Sequence, residues 1–321
     1  VDFKQLARCN IRTLSAIIDK QTNGIAKDLT MPHTPTFLMT DGSHFEVSYK
    51  INPWMTPEAW RQDEARNRKE AHEAQAGLAA ALRDAGARVI MIEGVPGLPD
   101  MVFPANAAVV LDGRALASRF RYPERQGEER HFLNEFARLK DLGHFMEVAQ
   151  QPKGVWQEGA GDCIWDAARQ MFWAGFGPRS SFEALASLKE FFGQPMKGLE
   201  LVSGRFYHLD TCFVPLSGGE ALYYPPAFSK ASLSAIRDHV PAHSRIEASD
   251  EDAARFAVNA VNIGREIVMA EPTARLAGEL TERGYSVSPV HLRPFIMSGG
   301  GAYCMTLRLD LKTSSASRFK G

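Results

Sequence analysis

The stretch RFYHLDTCFVPLSGGEALYYPPAFSKASLSAIRDHVPAHSRIEA, residues 205–248, carries the pattern that decides the fold. HLDTCFVPL and EALYYPP read as two short apolar and aromatic strands. SKASLSAIRDHV reads as a helix, and SRIEA as a further strand. The stretch is therefore one ββαβ unit. Inside its first strand, His208 and Asp210 stand two residues apart among apolar and aromatic neighbours. A strand sends residues i and i+2 to the same face, so imidazole and carboxylate are predicted to project together. Buried charge is costly unless it is paired or used. The pair is then either a satisfied structural hydrogen bond or half of an active site.

The same rhythm runs outward in both directions. Upstream, WQEGAGDCIWD and QMFWAGF are followed by the helix SFEALASLKEFFG and the strand LELVSGR. Before them come MVFPANAAVVLD and RALASR, the helix around EERHFLNEFARLKDLG, and HFMEVAQ. HFEVSYK is predicted as a strand, PEAWRQDEARNRKEAHEAQAGLAAALRDAG as one long helix with Pro57 near its start and Gly86 near its end, and RVIMIE as a buried strand. Downstream, FAVNAVNIG and REIVMA lead to the helix TARLAGELTERG and to YSVSPV, and the chain closes with GGAYCMTLRLDL. Roughly five passes at a spacing of about 40 to 60 residues fit a propeller-like array. A doubly wound sheet would need cleaner βαβαβ alternation. Neither GxGxxG nor GxxxxGK[ST] occurs.

The 321 residues allow one large domain or two ordinary ones. The reading is a single α/β domain over residues 36–311, with an extension at 1–35 and a flexible, small and polar tail at 312–321. Within the extension, ARCNIRTLSAIIDK reads as a short amphipathic helix, broken by the two prolines of TMPHTPTF. Hydrophobic content of 45%, charged content of 23% and a net charge of -1 suit a soluble globular protein, with no excess aimed at nucleic acid or an anionic membrane. No apolar run approaches a bilayer span, and VDFKQLARCNIRTL has no long apolar signal core. Cys9, Cys163, Cys212 and Cys304 are widely spaced, without zinc-type pairing. Few cysteines in a large chain point to a reducing compartment, so the expected location is the cytoplasm.

Four segments put polar residues where a strand meets a loop, bracketed by glycine or proline. They hold Asp100 and Asn106, Glu158 and Asp162, His208 and Asp210, and Cys304 at the start of an apolar strand after three glycines. Each has a bland reading: turn acids, an asparagine serving the backbone, a core cysteine. Around a pseudo-symmetry axis, however, corresponding positions converge at one end. A nucleophile, an acid/base and cation-binding carboxylates would then meet. A guanidinium suits such a pocket, being planar and rich in N–H donors. Carboxylates would hold it aligned, a thiolate would attack its carbon, and a histidine would protonate the departing nitrogen.

PDMVFPANAAVVL (99–111), RYPERQGE (121–128), EGAGDC (158–163), GFGPRSS (175–181), FYHLDTCFVPL (206–216), YYPPAF (223–228), DAARFAVNAVNIG (252–264) and GGAYCMTLRL (300–309) together carry a resemblance. The sequence resembles the amidinotransferase/dimethylargininase superfamily, the guanidine-modifying enzymes of the pentein fold, a five-fold pseudo-symmetric α/β propeller. The resemblance implies Cys304 as nucleophile and His208 as general acid and then base. Glu158 and Asp210 would bind the guanidinium. Arg125 and Arg179 match positions that grip a substrate α-carboxylate, and Asp100 matches a substrate-side acid. Asp162 and Asn52 are further candidates for lining the pocket. The implied intermediate is a covalent S-alkylthiouronium, with neither metal nor organic cofactor.

Two residues refine the branch. Asp210 favours an unmethylated guanidinium, because dimethylarginine hydrolases commonly carry a non-acidic residue there. Asn106 resembles the arginine dihydrolases, which continue past citrulline to ornithine, ammonia and carbon dioxide. An asparagine can donate to a ureido oxygen as well as accept, so it can retain neutral citrulline. The alternatives are a deiminase or dimethylargininase stopping at citrulline, an amidinotransferase using an amine acceptor, and a non-enzymatic binder of cations on the same scaffold. The expected partner is a small guanidino compound, arginine or a derivative. A homo-oligomer is left open.

Overall fold

The computed structural model describes residues 34–314. The helix expected over ARCNIRTLSAIIDK, and Cys9 within it, lie outside the described residues. The described residues form five three-stranded sheets. In chain order the strands are β1 (Thr36–Thr40), β2 (Arg88–Ile92), β3 (Ala108–Leu111), β4 (Arg114–Ala117), β5 (Glu147–Gln150), β6 (Cys163–Asp166), β7 (Met171–Phe176), β8 (Met196–Glu200), β9 (Phe213–Pro215), β10 (Ala221–Tyr223), β11 (Arg245–Glu247), β12 (Val261–Ile263), β13 (Glu266–Ala270), β14 (Ser286–Val290) and β15 (Leu307–Arg308). The connecting helices are α1 (Glu64–Asp84), α2 (Glu128–Asp141), α3 (Ala184–Phe192), α4 (Lys230–His239) and α5 (Ala274–Glu282).

Each sheet repeats one plan. A central strand pairs antiparallel with the strand before it and parallel with the strand after it, as β4 does with β3 and β5. The parallel pairing requires a crossover, and a helix supplies it in every blade. The ββαβ reading is therefore the observed one, and the fold is the mixed α/β pentein array. The first blade is assembled from both ends of the described chain. β15 pairs antiparallel with β1, setting Phe37 opposite Arg308, and β2 pairs parallel on the other side.

Burial is graded outward. β3 (AVVL) and β6 (CIWD) are buried at every residue, whereas β5 (EVAQ) has no fully buried residue. The first strands of neighbouring blades pack on one another, β3 by β6 and β6 by β9. Turns just ahead of these inner strands thus gather at one end of the axis.

Five expectations need correction. RVIMIE forms a strand, but not a buried one: within Arg88–Ile92 only Ile92 is buried. HFEVSYK is no strand; a 3-10 turn (Gly42–His44) and irregular backbone occupy it. The long helix is broken at Asp63, which ends a short helix (Pro57–Gln62) and caps α1 by accepting from the Arg66 N–H. Pro57 at its first helical position and a side-chain cap three residues before Arg66 are two helix starts, not one. HLDT is not strand either: Leu209–Thr211 is a 3-10 turn, with His208 at its N-cap. Finally, residues 312–314 of the expected tail are placed, while 315–321 lie outside the described residues. Thr313 is buried and bonds both carboxylate oxygens of Asp112, through N at 2.8 Å and Oγ1 at 2.9 Å.

Candidate active site

The turns before the inner strands carry the candidate chemistry. Asn106 lies in the 3-10 turn Pro104–Ala107 ahead of β3. Glu158 and Asp162 flank the turn Gly159–Gly161 ahead of β6. His208 and Asp210 occupy the turn ahead of β9. Cys304 sits in a turn three residues before β15, rather than in the strand expected there. All ten residues singled out from the sequence are buried.

His208 and Glu158 are directly joined, Nε2 to Oε2 at 2.7 Å. The same Glu158 oxygen accepts from Arg179 at 2.9 Å, and Oε1 accepts from the Arg121 N–H at 3.1 Å. Burial alone would raise the Glu158 carboxyl. The Arg179 guanidinium and His208 outweigh it and hold the group below the usual carboxylate range. At the other ring nitrogen, His208 Nδ1 meets Asn106 Nδ2 at 3.5 Å. Arg125 donates to Asn106 Oδ1 at 2.8 Å, which fixes the amide with its NH2 toward the imidazole. An N–H donor facing Nδ1 requires a lone pair there, so the proton of neutral His208 belongs on Nε2, toward Glu158. Gly161 makes this approach feasible: a Cβ there would overlap Asn106 Nδ2.

Asp162 is a strut between turns. Its Oδ2 accepts from Ser180 Oγ at 2.6 Å and its Oδ1 from the Leu209 N–H at 2.9 Å. Both oxygens are used by the protein, so the geometry gives Asp162 a structural place beside the site. Arg125 forks onto Glu128 through Nε at 2.9 Å and a terminal nitrogen at 2.8 Å. Arg179 lies between the Tyr122 and Tyr207 rings, 4.7 and 4.6 Å from their centroids. Asp100 accepts from Ser298 Oγ at 3.3 Å and lies 3.9 Å from Arg125. Asn52 does not reach the cluster with a free group. Its amide donates to the Ser298 carbonyl at 3.0 Å and accepts from the Trp54 and Met55 N–H groups.

Cys304 and Asp210 form the second centre. The thiol donates to Asp210 Oδ2 at 3.1 Å, while Asp210 Oδ1 is buried without a hydrogen-bond partner. Burial pushes the Asp210 carboxyl up to about 7, and burial followed by the neighbouring Asp210 pushes the Cys304 thiol well up. Burial also lifts Glu128 to about 7 and Asp162 to about 6. Asp100, Glu128, Glu158, Asp162 and Asp210 thus face two arginines and one histidine in a buried space. A planar cation is the ligand that this imbalance favours. His208 and Asp210 do not share a strand face as expected; the 3-10 turn sends one to Glu158 and the other to Cys304.

One residue escaped the sequence reading. Asn259, fully buried ahead of β12, donates to Cys304 Sγ at 3.1 Å. It lies within FAVNAVNIG, at the fifth-blade equivalent of the turns that supplied the other candidates, and that equivalence was the available signal. Among the described residues, no group of three or more His, Cys, Asp or Glu side chains could hold a metal ion. Nor is any helix there long and apolar enough to cross a membrane.

The comparisons with known proteins point the same way. The bifunctional arginine dihydrolase/ornithine cyclodeaminase ArgZ of Synechocystis is 39% identical over 272 residues, covering 85% of this chain but 37% of that protein. This chain therefore spans a little over a third of ArgZ. The N(G),N(G)-dimethylarginine dimethylaminohydrolase of Mycobacterium tuberculosis is 33% identical over 278 residues, 87% of either chain. A crystal structure of the ArgZ N-terminal domain, a cysteine-to-serine mutant bound to substrate, superposes with a TM-score of 0.80 at 36% identity, covering 87% of this chain and 99% of that one. An asparagine-to-serine form of the same domain, covalently bonded to a reaction intermediate, matches with the same TM-score of 0.80 and 36% identity, covering 87% of this chain and 98% of that one. The family profile described as "N,N dimethylarginine dimethylhydrolase, eukaryotic" matches residues 47–311. With that profile spanning most of the chain, and a relative matched over most of its own length, the chain belongs to the dimethylarginine dimethylhydrolase family, within the pentein superfamily.

Proposed function

We propose that the chain hydrolyses the guanidinium group of arginine through a covalent Cys304 intermediate and continues to ornithine. The observation that carries this reading is the Cys304–Asp210 pair. A thiol touches one carboxylate oxygen while the other is buried and unpartnered, where a guanidinium N–H would complete it. The ArgZ domain with bound substrate and its covalent form support the same chemistry.

In this reading the cation docks on Asp210, and its charge offsets the burial that keeps Cys304 protonated. The thiol proton passes to the lone pair on His208 Nδ1, and the thiolate attacks the guanidinium carbon. His208, oriented by Glu158 through Nε2, moves protons through Nδ1: first to the departing ammonia, then from the water that breaks the C–S bond. That round converts arginine and water to citrulline and ammonia. A second round at the same sulfur converts citrulline and water to ornithine, ammonia and carbon dioxide. Asn106 presents its NH2 beside His208 Nδ1, where it can donate to a neutral ureido oxygen. Arg125 and Arg179 are ion-paired with Glu128 and Glu158, so a substrate carboxylate would have to compete with those two side chains. Residues 36–311 act as one catalytic unit, and three described free cysteines suit a reducing cytoplasm.

The family profile favours a second reading in which a methylated guanidinium is opened and the reaction stops at citrulline. Product analysis separates the two. Ornithine with about two ammonia per arginine supports the dihydrolase, since the C–N bonds to both terminal nitrogens break at one nucleophile and the third opens as carbon dioxide leaves; citrulline with about one ammonia rejects it. Asn106→Asp should shift the product ratio toward citrulline, and a ratio insensitive to that change removes Asn106 from the argument.

A further inference from the structure

The reaction above leaves Asn259 without a role, although it touches the reacting sulfur. Its Oδ1 accepts from two successive backbone N–H groups, Tyr303 at 3.0 Å and Cys304 at 3.2 Å. Two donors facing one end of the amide settle its orientation. Nδ2 is thereby turned the other way, toward the Asp210 carbonyl at 3.0 Å and Cys304 Sγ at 3.1 Å. The triple glycine makes room for this packing. A Cβ on Gly301 would come within 2.8 Å of Asn259 Oδ1.

We propose that Asn259 is a positioning residue for the nucleophile: it pins the Cys304 backbone and donates one N–H to the sulfur, stabilising the thiolate that attacks the guanidinium carbon. The inference deepens the reading of Cys304 as nucleophile and rests on it. Burial and the Asp210 carboxylate oppose ionisation, while the Gly301 N–H acts in the same sense as Asn259. Asp210 Oδ2 lies 3.1 Å from the sulfur within a buried space. Once the thiol proton leaves, the Asp210 contact changes from a hydrogen bond to a like-charge repulsion. The Asn259 contact changes in the opposite sense, because a donor bonded to an anion is stronger than one bonded to a neutral group. Asn259 therefore acts on the difference between thiol and thiolate.

The test reads the sulfur directly. Iodoacetamide alkylation of Cys304 is followed against pH, with Cys304→Ala giving the background from other thiols. Asn259→Asp keeps an oxygen for the two backbone donors and loses the N–H pair. The pH of half-maximal alkylation should rise by about one unit, and kcat should fall about tenfold, with KM for arginine changed less and kcat partly restored at high pH. Gly301→Ala displaces Asn259 without deleting a polar group and should shift both readouts the same way by a smaller factor. If Asn259→Asp fails to fold, Gly301→Ala decides alone. Wild-type alkylation profiles in the folded variants would overturn the inference. A shifted profile in a protein that does not consume arginine would instead uphold the thiolate contact and reject the arginine assignment.

Discussion

The two flanks of the buried site are built on opposite plans. On the His208 flank, Glu158 is saturated: His208 and Arg179 share Oε2, and the Arg121 N–H takes Oε1. Arg125 fixes Asn106, which in turn faces the imidazole. On the Cys304 flank, Asp210 keeps an unpartnered oxygen and both the thiol and the carboxyl are pushed up by burial. The difference teaches where work is done before the ligand arrives. A saturated network holds its acid/base rigidly and gains little from a ligand. An unsatisfied buried carboxyl is destabilising until a donor reaches it, so in the proposed reaction the docking cation would complete that flank.

The comparison can be broken most decisively at the sulfur. Cys304→Ala should lower turnover by on the order of 10⁴-fold or more while leaving the saturated flank intact, as measured by steady-state ammonia release. Retained activity would end the covalent mechanism. Next comes Glu158→Gln, which removes the charge shared by His208 and Arg179. Turnover should fall about 10²–10⁴-fold, and the melting temperature should drop because a buried guanidinium loses its partner. Unchanged stability would show that the flank is less tightly coupled than its contacts imply.

Asp210 sharpens the contrast through pH. Its carboxyl is raised from the model-compound range to about 7, so the free protein binds this proton more readily than the unfolded chain does. Its contribution is fully favourable below the unfolded pKa and is lost as pH rises toward about 7. A bound cation reverses that loss. Arginine should therefore raise the melting temperature of the Cys304→Ala protein more at about pH 8 than at about pH 5.5, and Asp210→Asn should flatten the difference. Equal stabilisation at both pH values would place the cation elsewhere. The smallest effect is expected at Asn52→Ala, which cuts buried bonds to the Ser298, Trp54 and Met55 backbone. It should cost about 1–3 kcal/mol of stability in a denaturant titration while kcat/KM changes little. A large kcat/KM loss at full stability would return Asn52 to the pocket.

Much of this architecture was legible in residue order. Five repetitions of two short apolar strands, a helix and a strand announce five sheets, because strand patterns and helix patterns have different periods and a parallel pair needs a crossover. EGAGD, HLDT and the late cysteine segment, in that order, carry the resemblance to guanidine-modifying enzymes, which implies a thiol, an imidazole and carboxylates at one site. What the sequence could not convey was the local backbone of those motifs. HLDT alternates as a strand would, yet long-range bonds from Asp162 to the Leu209 N–H and from Cys304 to Asp210 accompany a 3-10 turn.

Only the tertiary structure decided which polar groups are free. Asp162 and Asn52 looked like Asp210 and Asn106 on paper, but their hydrogen-bonding atoms are satisfied by neighbours far away in the chain, such as Leu209 and Ser298. Asn259 looked like one more strand residue until Tyr303 and Cys304 were brought against it from 44 and 45 residues downstream. The sequence by itself determined the repeat and the kinds of chemical group available, because both depend on composition and near-neighbour spacing. Which oxygen lacks a partner, and which amide faces the sulfur, depends on contacts between blades, and these exist only once β15 has closed the ring against β1.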